Sequence, residues 1–189
     1  MSTQFYWDFD FDAGFESDQE FESKNYTFGA HFALEVKAWN DRSTLGMLNV
    51  LDYPAALIRV LTGFDKELRP RGSAIPTVLL RLDHVGTDGD GPRAMVGDKS
   101  SYLRFRSEIV YKSPIAQIGG KQYSVVASYR SFHEVSPSRA VRRTGLDNYN
   151  YLALVFESNE GLFASFPSGR QPFDEGNSDA YQLGWKVDF

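Results

Sequence analysis

The stretch that decides the fold is YTFGAHFALEVKAW, residues 26–39. Apolar side chains recur at every second position from Phe28 to Ala38, and polar residues such as Glu35 and Lys37 fall between them. Because side chains alternate across a β-strand, this period of two predicts sheets with one buried face.

The same alternation recurs along most of the chain. We predict strands at 5–12, 26–39, 101–112, 122–132, 149–158, 162–166 and 181–189. A further strand is predicted at 77–85, where an almost continuous apolar run indicates burial on both faces. The high aromatic content of 15% supports this, since aromatic side chains favour strands. The sequence therefore predicts a mainly β fold: a single-domain antiparallel sandwich, jelly-roll-like, or a barrel of about eight or nine strands.

One short α-helix is predicted near 53–62. Asp52 is placed to cap it, Pro54 suits its first turn and Gly63 suits its C-terminal stop. A stripe that begins with Leu57 and continues through Leu61 predicts the face that packs against a sheet.

Composition limits the classes of function. The 189 residues suit one domain, 1–189, and the absence of cysteine excludes disulfides, thiolate metal sites and cysteine nucleophiles. The net charge of −5 disfavours nucleic-acid binding. We see no signal peptide and no membrane span, so we expect a cytoplasmic or particle-associated protein without a cofactor or a metal site.

The charge is concentrated at the N-terminus. Residues 1–23 hold seven carboxylates and no basic residue, so this acidic segment is a candidate for docking on a neighbour. Its proposed contacts come from one acidic and one basic group of residues. They are Asp8, Asp10 and Asp12 on one side, and Arg139 and Arg143 on the other.

Catalytic motifs are weak in this sequence. There is no nucleophile elbow and no histidine pair with metal-binding spacing. The only candidates for catalysis are His84, His133 and Glu134, of which the last two begin a polar loop predicted at 133–148.

A stretch of amides, a carboxylate and tyrosines is the best candidate for binding a ligand. Such groups offer directional hydrogen bonds and flat rings, which a sugar or a small polar molecule requires. The candidate residues are Asp147, Asn148, Tyr149, Asn150 and Tyr151, with Arg142.

Three functions follow, in order of preference. The first is a non-enzymatic structural or assembly domain that self-associates, as a homo-oligomer, or joins a larger particle, through end strands that can extend a neighbouring sheet. The second is a module that binds a carbohydrate or a small polar ligand. The third is a cofactor-free barrel enzyme, such as an isomerase, cyclase or hydrolase.

Overall fold

A computed structural model describes residues 4–17, 24–37, 46–87, 91–172 and 177–186 of the chain. Most of these residues lie in β-strands. The strands are β1 (Gln4–Ser17), β2 (Lys24–Lys37), β3 (Thr77–Thr87), β4 (Tyr102–Ile118), β5 (Lys121–Val135), β6 (Asn148–Ser158), β7 (Leu162–Gly169), β8 (Ser178–Asp179) and β9 (Gln182–Trp185). The helices are α1 (Tyr53–Leu61), α2 (Pro92–Met95) and α3 (Arg139–Thr144), and two short 3₁₀ turns, Gly46–Leu48 and Val50–Asp52, precede α1.

The described strands form one antiparallel sheet in which each strand from β1 to β7 pairs with the next. The order is β1 to β8, with β9 pairing on β7 beside β8. The mainly β, antiparallel prediction is confirmed, as is the single longer helix near 53–62. The sequence analysis expected a sandwich or a barrel, whereas the structure has one continuous sheet that is not closed. The period of two identifies strands but carries no information about which strands pair.

The register places the alternating residues on two faces, which we call the outer and the inner face. The outer face carries the exposed apolar side chains Trp7, Phe9, Phe11, Phe15, Tyr26, Phe28, Leu82, Leu103, Phe105, Ile109, Tyr129, Val135, Leu152, Leu154, Phe156, Leu162, Phe166, Leu183 and Trp185. The inner face carries the charged side chains Asp8, Asp10, Asp12, Glu16, Arg81, Asp83, Arg104, Arg106, Glu108, Arg130 and Glu134.

The buried face of the sheet is the polar one. On β2, Asn25 and Thr27 are 7% and 4% exposed, whereas Tyr26 and Phe28 are 58% and 61% exposed. A β-strand in water ordinarily buries its apolar side. The strand prediction was therefore right about which residues share a face, but the usual assignment of the apolar face to the interior does not hold here.

The sheet is curved toward its inner face. Arg104 of β4 and Glu16 of β1 lie three strands apart and four residues out of register. A flat sheet would put their Cα atoms about 20 Å apart. Extended arginine and glutamate side chains with one hydrogen bond span only about 15 Å. Since Arg104 Nη2 and Glu16 Oε1 are 2.6 Å apart, the inner face is concave and the outer face convex.

Helix α1 contacts β4 and also has its polar side inside. It ends before Gly63, whose φ of 72° confirms the predicted stop. Asp52 does not cap the helix by a side-chain hydrogen bond; its carboxylate binds Arg59 instead. The predicted packing face is also wrong, because Leu57 and Leu61 are 51% and 77% exposed.

Helix α3 interrupts the loop that we predicted at 133–148. Strand β5 continues to Val135, and Ser138 caps the helix by accepting a hydrogen bond from the Val141 N–H group. Val141 packs with Phe132, Leu146 and Tyr149 in a small apolar cluster at this end of the inner face. None of the helices in the described ranges has the length and apolar character of a bilayer-spanning helix.

Candidate functional site

A network of ion pairs crosses the concave inner face. Arg104, 2% exposed, donates two hydrogen bonds to the Glu16 carboxylate at 2.6 and 2.9 Å and a third to Asp83 at 3.2 Å. Arg81 contacts the same Asp83 and also lies 2.6 Å from Asp12. The network therefore ties β1 to β3 and β4, passing across β2.

A glycine on β2 makes this arrangement possible. Gly29 lies between Asp12 on β1 and Asp83 on β3 in the register. A Cβ atom at this position would overlap the Asp83 carboxylate and lie 2.6 Å from the Leu82 carbonyl oxygen. The missing side chain thus provides the space in which Asp12, Arg81 and Asp83 meet.

A second cluster lies further along β4 and β5. Glu108 accepts two hydrogen bonds from Arg130 at 2.9 Å and one from Arg106 at 2.7 Å. Burial alone would raise the pKa of Glu108, but the hydrogen bonds from the two arginines outweigh it and the pKa lies below its usual value. Glu108 is therefore ionised and fully committed to its partners.

A third cluster joins the loops to the inner face. Arg93 contacts the buried Glu134, donates to Asp98 at 3.1 Å, and stacks 4.1 Å from the centre of the Tyr102 ring. Hydrogen bonds from Ser100, together with one to Ser138, lower the pKa of Asp98 to about 2. Every carboxylate in this cluster thus has a cation or a hydroxyl group beside it.

The fourth cluster lies beneath α1, where Asp52 and Arg59 are both fully buried. Arg59 Nη2 lies 2.6 Å from Asp52, and Arg59 also donates to Asp65 at 2.7 Å and to Ser113 at 3.0 Å. Asp52 in turn accepts from the Tyr111 hydroxyl at 2.7 Å. Burial raises the pKa of Tyr111, and its hydrogen bond to Asp52 adds to the shift.

In each of these clusters, arginine and carboxylate side chains neutralise one another's charge. Charged groups removed from water are tolerated when they are paired and hydrogen-bonded, and each of the four clusters provides such pairs. An arginine held between carboxylates cannot act as a base. A carboxylate with a lowered pKa is likewise a poor proton donor at neutral pH. The first three clusters therefore support a role in holding the concave face together, and the fourth holds α1 against β4.

The outer face has the opposite chemistry. Its most exposed aromatic residues are Trp7 at 71%, Phe11 at 67% and Phe28 at 61%. With roughly half of about 200 Å² exposed on each of its large side chains, the face leaves on the order of 1,900 Å² of apolar surface in contact with solvent. The largest apolar patch of an ordinary monomer covers about 300–600 Å². The outer face thus exposes more apolar surface than the largest patch of an ordinary monomer.

The residues predicted for catalysis are separated by the sheet. His84 and His133 are exposed on the outer face, opposite Phe28 and Phe105 respectively in the register. Glu134 lies on the inner face and binds Arg93. Among the described residues, neither histidine has an ion pair with a carboxylate; the histidine that does is His31, 3.4 Å from Asp10.

The predicted ligand residues are also divided between the two faces. Asn148 and Asn150 lie on the outer side of β6, where Asn150 accepts a hydrogen bond from the Tyr129 hydroxyl at 2.7 Å. Tyr149 lies on the inner side, where burial raises its pKa to about 12. Asn148, Asn150 and Tyr151 line an open groove of about 350 Å³ with Tyr129, Leu152, Ser168, Gly169 and Arg170. Asp147 and Arg142 do not line this groove.

The predicted acidic–basic contact is not formed within the described chain. Asp12 binds Arg81, Asp10 lies beside His31, and Asp8 is exposed. Arg139, Arg142 and Arg143 are exposed on α3, and the described residues include no carboxylate paired with them. The part of the acidic segment at 18–23 lies outside the described residues.

The functional arginines of the inner face were missed by sequence reasoning. Arg81, Arg104 and Arg106 occupy alternate positions of strands and read as solvent-exposed charges. Two features together could have identified them. One is the presence of opposite charges on consecutive strands, and the other is a glycine, such as Gly29, at a position beside those charges. Strand order is needed to see it, and one sequence does not supply strand order.

No family model, curated protein or solved structure matches this chain. Within the described residues, no group of histidine and acidic side chains is arranged to hold a metal ion. The assignment of function therefore rests on the two faces of the sheet.

Proposed function

We propose that this chain is a non-enzymatic structural domain that works as part of a larger assembly, with the outer face as its contact surface. The observation that supports this is the inversion of the sheet: its charged face is buried and its apolar face is exposed. The largest fully buried side chains include Arg59, Arg104, Asp52 and Asp83, while aromatic side chains lie outside. A domain with this distribution is stabilised when another apolar surface covers its outer face.

Light scattering on the purified chain tests this proposal. We expect the wild type to exceed its 21.4 kDa monomer mass in buffer and to remain associated at high salt, because salt does not weaken apolar contacts. Phe11→Glu with Phe28→Glu should reduce the association. Met95→Glu is the matched control, because Met95 is 81% exposed but lies on α2 outside the sheet.

Two results would count against the proposal. One is a monodisperse wild-type monomer at both salt concentrations. The other is an association that Phe11→Glu and Phe28→Glu leave unchanged. An association that dissociates at high salt would point instead to the acidic segment and its charged partners.

A second candidate function is supported by the groove at the ends of β6 and β7. Asn148, Asn150, Tyr151 and Arg170 all line this groove. This set of groups suits a carbohydrate or a small polar ligand. Arg170 also stacks 5.1 Å from the centre of the Tyr149 ring, which positions it at the groove.

Thermal shift measurements with a panel of neutral and acidic sugars test this second function. A binding sugar should raise the melting temperature of the wild type but not that of Asn148→Ala with Tyr151→Ala. Asn159→Ala, in the turn at the opposite end of β6, serves as the control. If no sugar shifts the wild type, the groove is not a carbohydrate site.

A further inference from the structure

We propose that the outer face is covered by the hydrocarbon of a lipid bilayer. This inference rests on the proposed function and names the partner of the same surface. It departs from the expectation, drawn from the sequence alone, that the protein has no membrane span. Three observations carry it: the extent of the apolar surface, its convex shape, and the exposed apolar side chains around α1.

The outer face is too large for one ordinary protein partner. A standard protein–protein interface buries about 800 Å² on each side. The apolar surface estimated for the outer face is more than twice as large, and it runs from Trp7 on β1 to Trp185 on β9.

The shape of the face also disfavours a second copy. The ion pair between Arg104 and Glu16 shows that the sheet bends toward the inner face, so the outer face is convex. Two convex surfaces touch along a strip, whereas fluid acyl chains adapt to any convex surface. Hydrocarbon is therefore the partner that can cover the apolar part of this face, which excludes the positions of His84, His133, Asn148 and Asn150.

The segment around α1 extends the same surface chemistry. Its buried side chains are Asp52, Ala55, Ala56 and Arg59, whereas most of its large apolar side chains are exposed. The exposed residues are Met47, Leu48, Val50, Leu51, Leu57, Ile58 and Leu61. A helix that hides its arginine and exposes its leucines suits contact with an apolar medium rather than with water.

The dimensions of the sheet are compatible with this partner. Bilayer hydrocarbon is about 30 Å thick, and a tilted strand of about 9–11 residues crosses it. Strands β1 to β6 have 11 to 17 residues and are long enough to cross it, whereas β7 has eight residues and β9 four. Hydrocarbon offers no hydrogen-bond partners, so the free edges of the sheet must then pair with further strands.

The absence of cysteine provides a direct test by single-site labelling. Ala30 and Ala33 lie on the same strand, β2, but the register places them on the outer and the inner face respectively. The full chain carrying Ala30→Cys or Ala33→Cys is labelled with a polarity-sensitive fluorophore and reconstituted from detergent into phosphatidylcholine vesicles. Lipids brominated in their acyl chains then serve as the quencher.

We expect the label at position 30 to be quenched at least three-fold more strongly than the label at position 33. Equal quenching at both positions, or protein that fails to float with the vesicles, overturns the lipid proposal. Lipid quenching of tryptophan fluorescence in a Trp39→Phe chain supplies a second measurement, since the two remaining tryptophans, Trp7 and Trp185, are both exposed on the outer face.

Iodide quenching in lipid-free buffer separates this inference from the proposed function. If the label at position 30 is shielded from iodide in a defined oligomer, and vesicles change nothing, a second copy covers the face. The lipid inference then fails and the assembly function stands. If the label is accessible to iodide in a stable monomer that does not bind vesicles, both the lipid inference and the assembly function fail.

Discussion

The buried pair beneath α1 allows a quantitative test of the inverted architecture. Replacing Arg59 by methionine keeps most of the volume of the side chain but removes the cation. Asp52 is then left fully buried without its cation, and Asp65 loses a hydrogen bond of 2.7 Å. Breaking a buried ion pair by removing one partner costs about 3–5 kcal/mol of the free energy of unfolding.

The structure places this variant near the lower end of that range. Asp52 keeps donors from Ser113 at 2.5 Å, the Tyr111 hydroxyl at 2.7 Å and the Arg71 N–H group at 2.5 Å. We therefore expect Arg59→Met to lower the free energy of unfolding by about 3 kcal/mol. With a urea dependence of roughly 2 kcal/mol per molar, the unfolding midpoint should fall by about 1.5 M.

Urea unfolding followed by tryptophan fluorescence measures this shift, in the condition in which the wild type is monodisperse. Arg139→Met is the matched control, since Arg139 is exposed on α3, and its midpoint should move by less than about 0.25 M. The double variant Asp52→Asn with Arg59→Met should lose less stability than the two single changes added together. A shift below about 0.3 M for Arg59→Met, or strict additivity, would refute the view that this pair is a buried structural unit.

Three further predictions concern the inner face. Gly29→Ala should lower the free energy of unfolding by about 1–3 kcal/mol, because the new Cβ atom has no space. Gly86→Ala is the control: its Cβ atom would meet nothing closer than 3.8 Å, so its free energy of unfolding should change by less than about 0.5 kcal/mol. Equal urea midpoints for the two variants would contradict this prediction. Glu134→Gln should lower the free energy of unfolding by about 2 kcal/mol, because the largely buried Arg93 loses one of its two charged partners and keeps only Asp98, and an unchanged melting temperature would contradict this. The pKa of Asp98 in the folded state is about 2, below its usual 3.8, so its stabilising contribution is present above pH 3.8 and is lost as the pH falls toward 2. Asp98→Asn should therefore weaken the dependence of the free energy of unfolding on pH between 3.8 and 2. An unchanged pH dependence in this range would contradict the assignment.

Much of the secondary structure could be predicted because it depends on local patterns. The alternation from Tyr26 to Trp39 identified β2, and Pro54 with Gly63 located α1. Helix α3 was missed because its six residues carry three arginines and only one buried apolar side chain, Val141. A stripe that short has no measurable period.

The candidate site could not be predicted because it depends on contacts between distant parts of the chain. Arg104 and Glu16 are 88 residues apart, and only the curvature of the sheet brings their side chains together. The groups predicted from local sequence, such as Asn148 to Tyr151, were divided between two faces by the same alternation that predicted their strand. A cluster of useful residues in a β-strand is not a cluster in space.

The sequence pattern by itself does not show which face of the sheet is buried. A period of two shows that Phe28 and Ala30 share a face opposite Thr27 and Gly29, but it reads the same whichever face is buried. The assignment of apolar residues to the interior assumes water outside. The structure supplies the missing information through its ion pairs: charges can be buried only where opposite charges meet them, and Gly29 leaves space for such a meeting on the inner face alone. Some sequences pair charges across neighbouring strands on one face and keep aromatic residues on the other. We expect such a chain to fold with its aromatic face in contact with an apolar environment. The labels at positions 30 and 33 measure whether this chain does so.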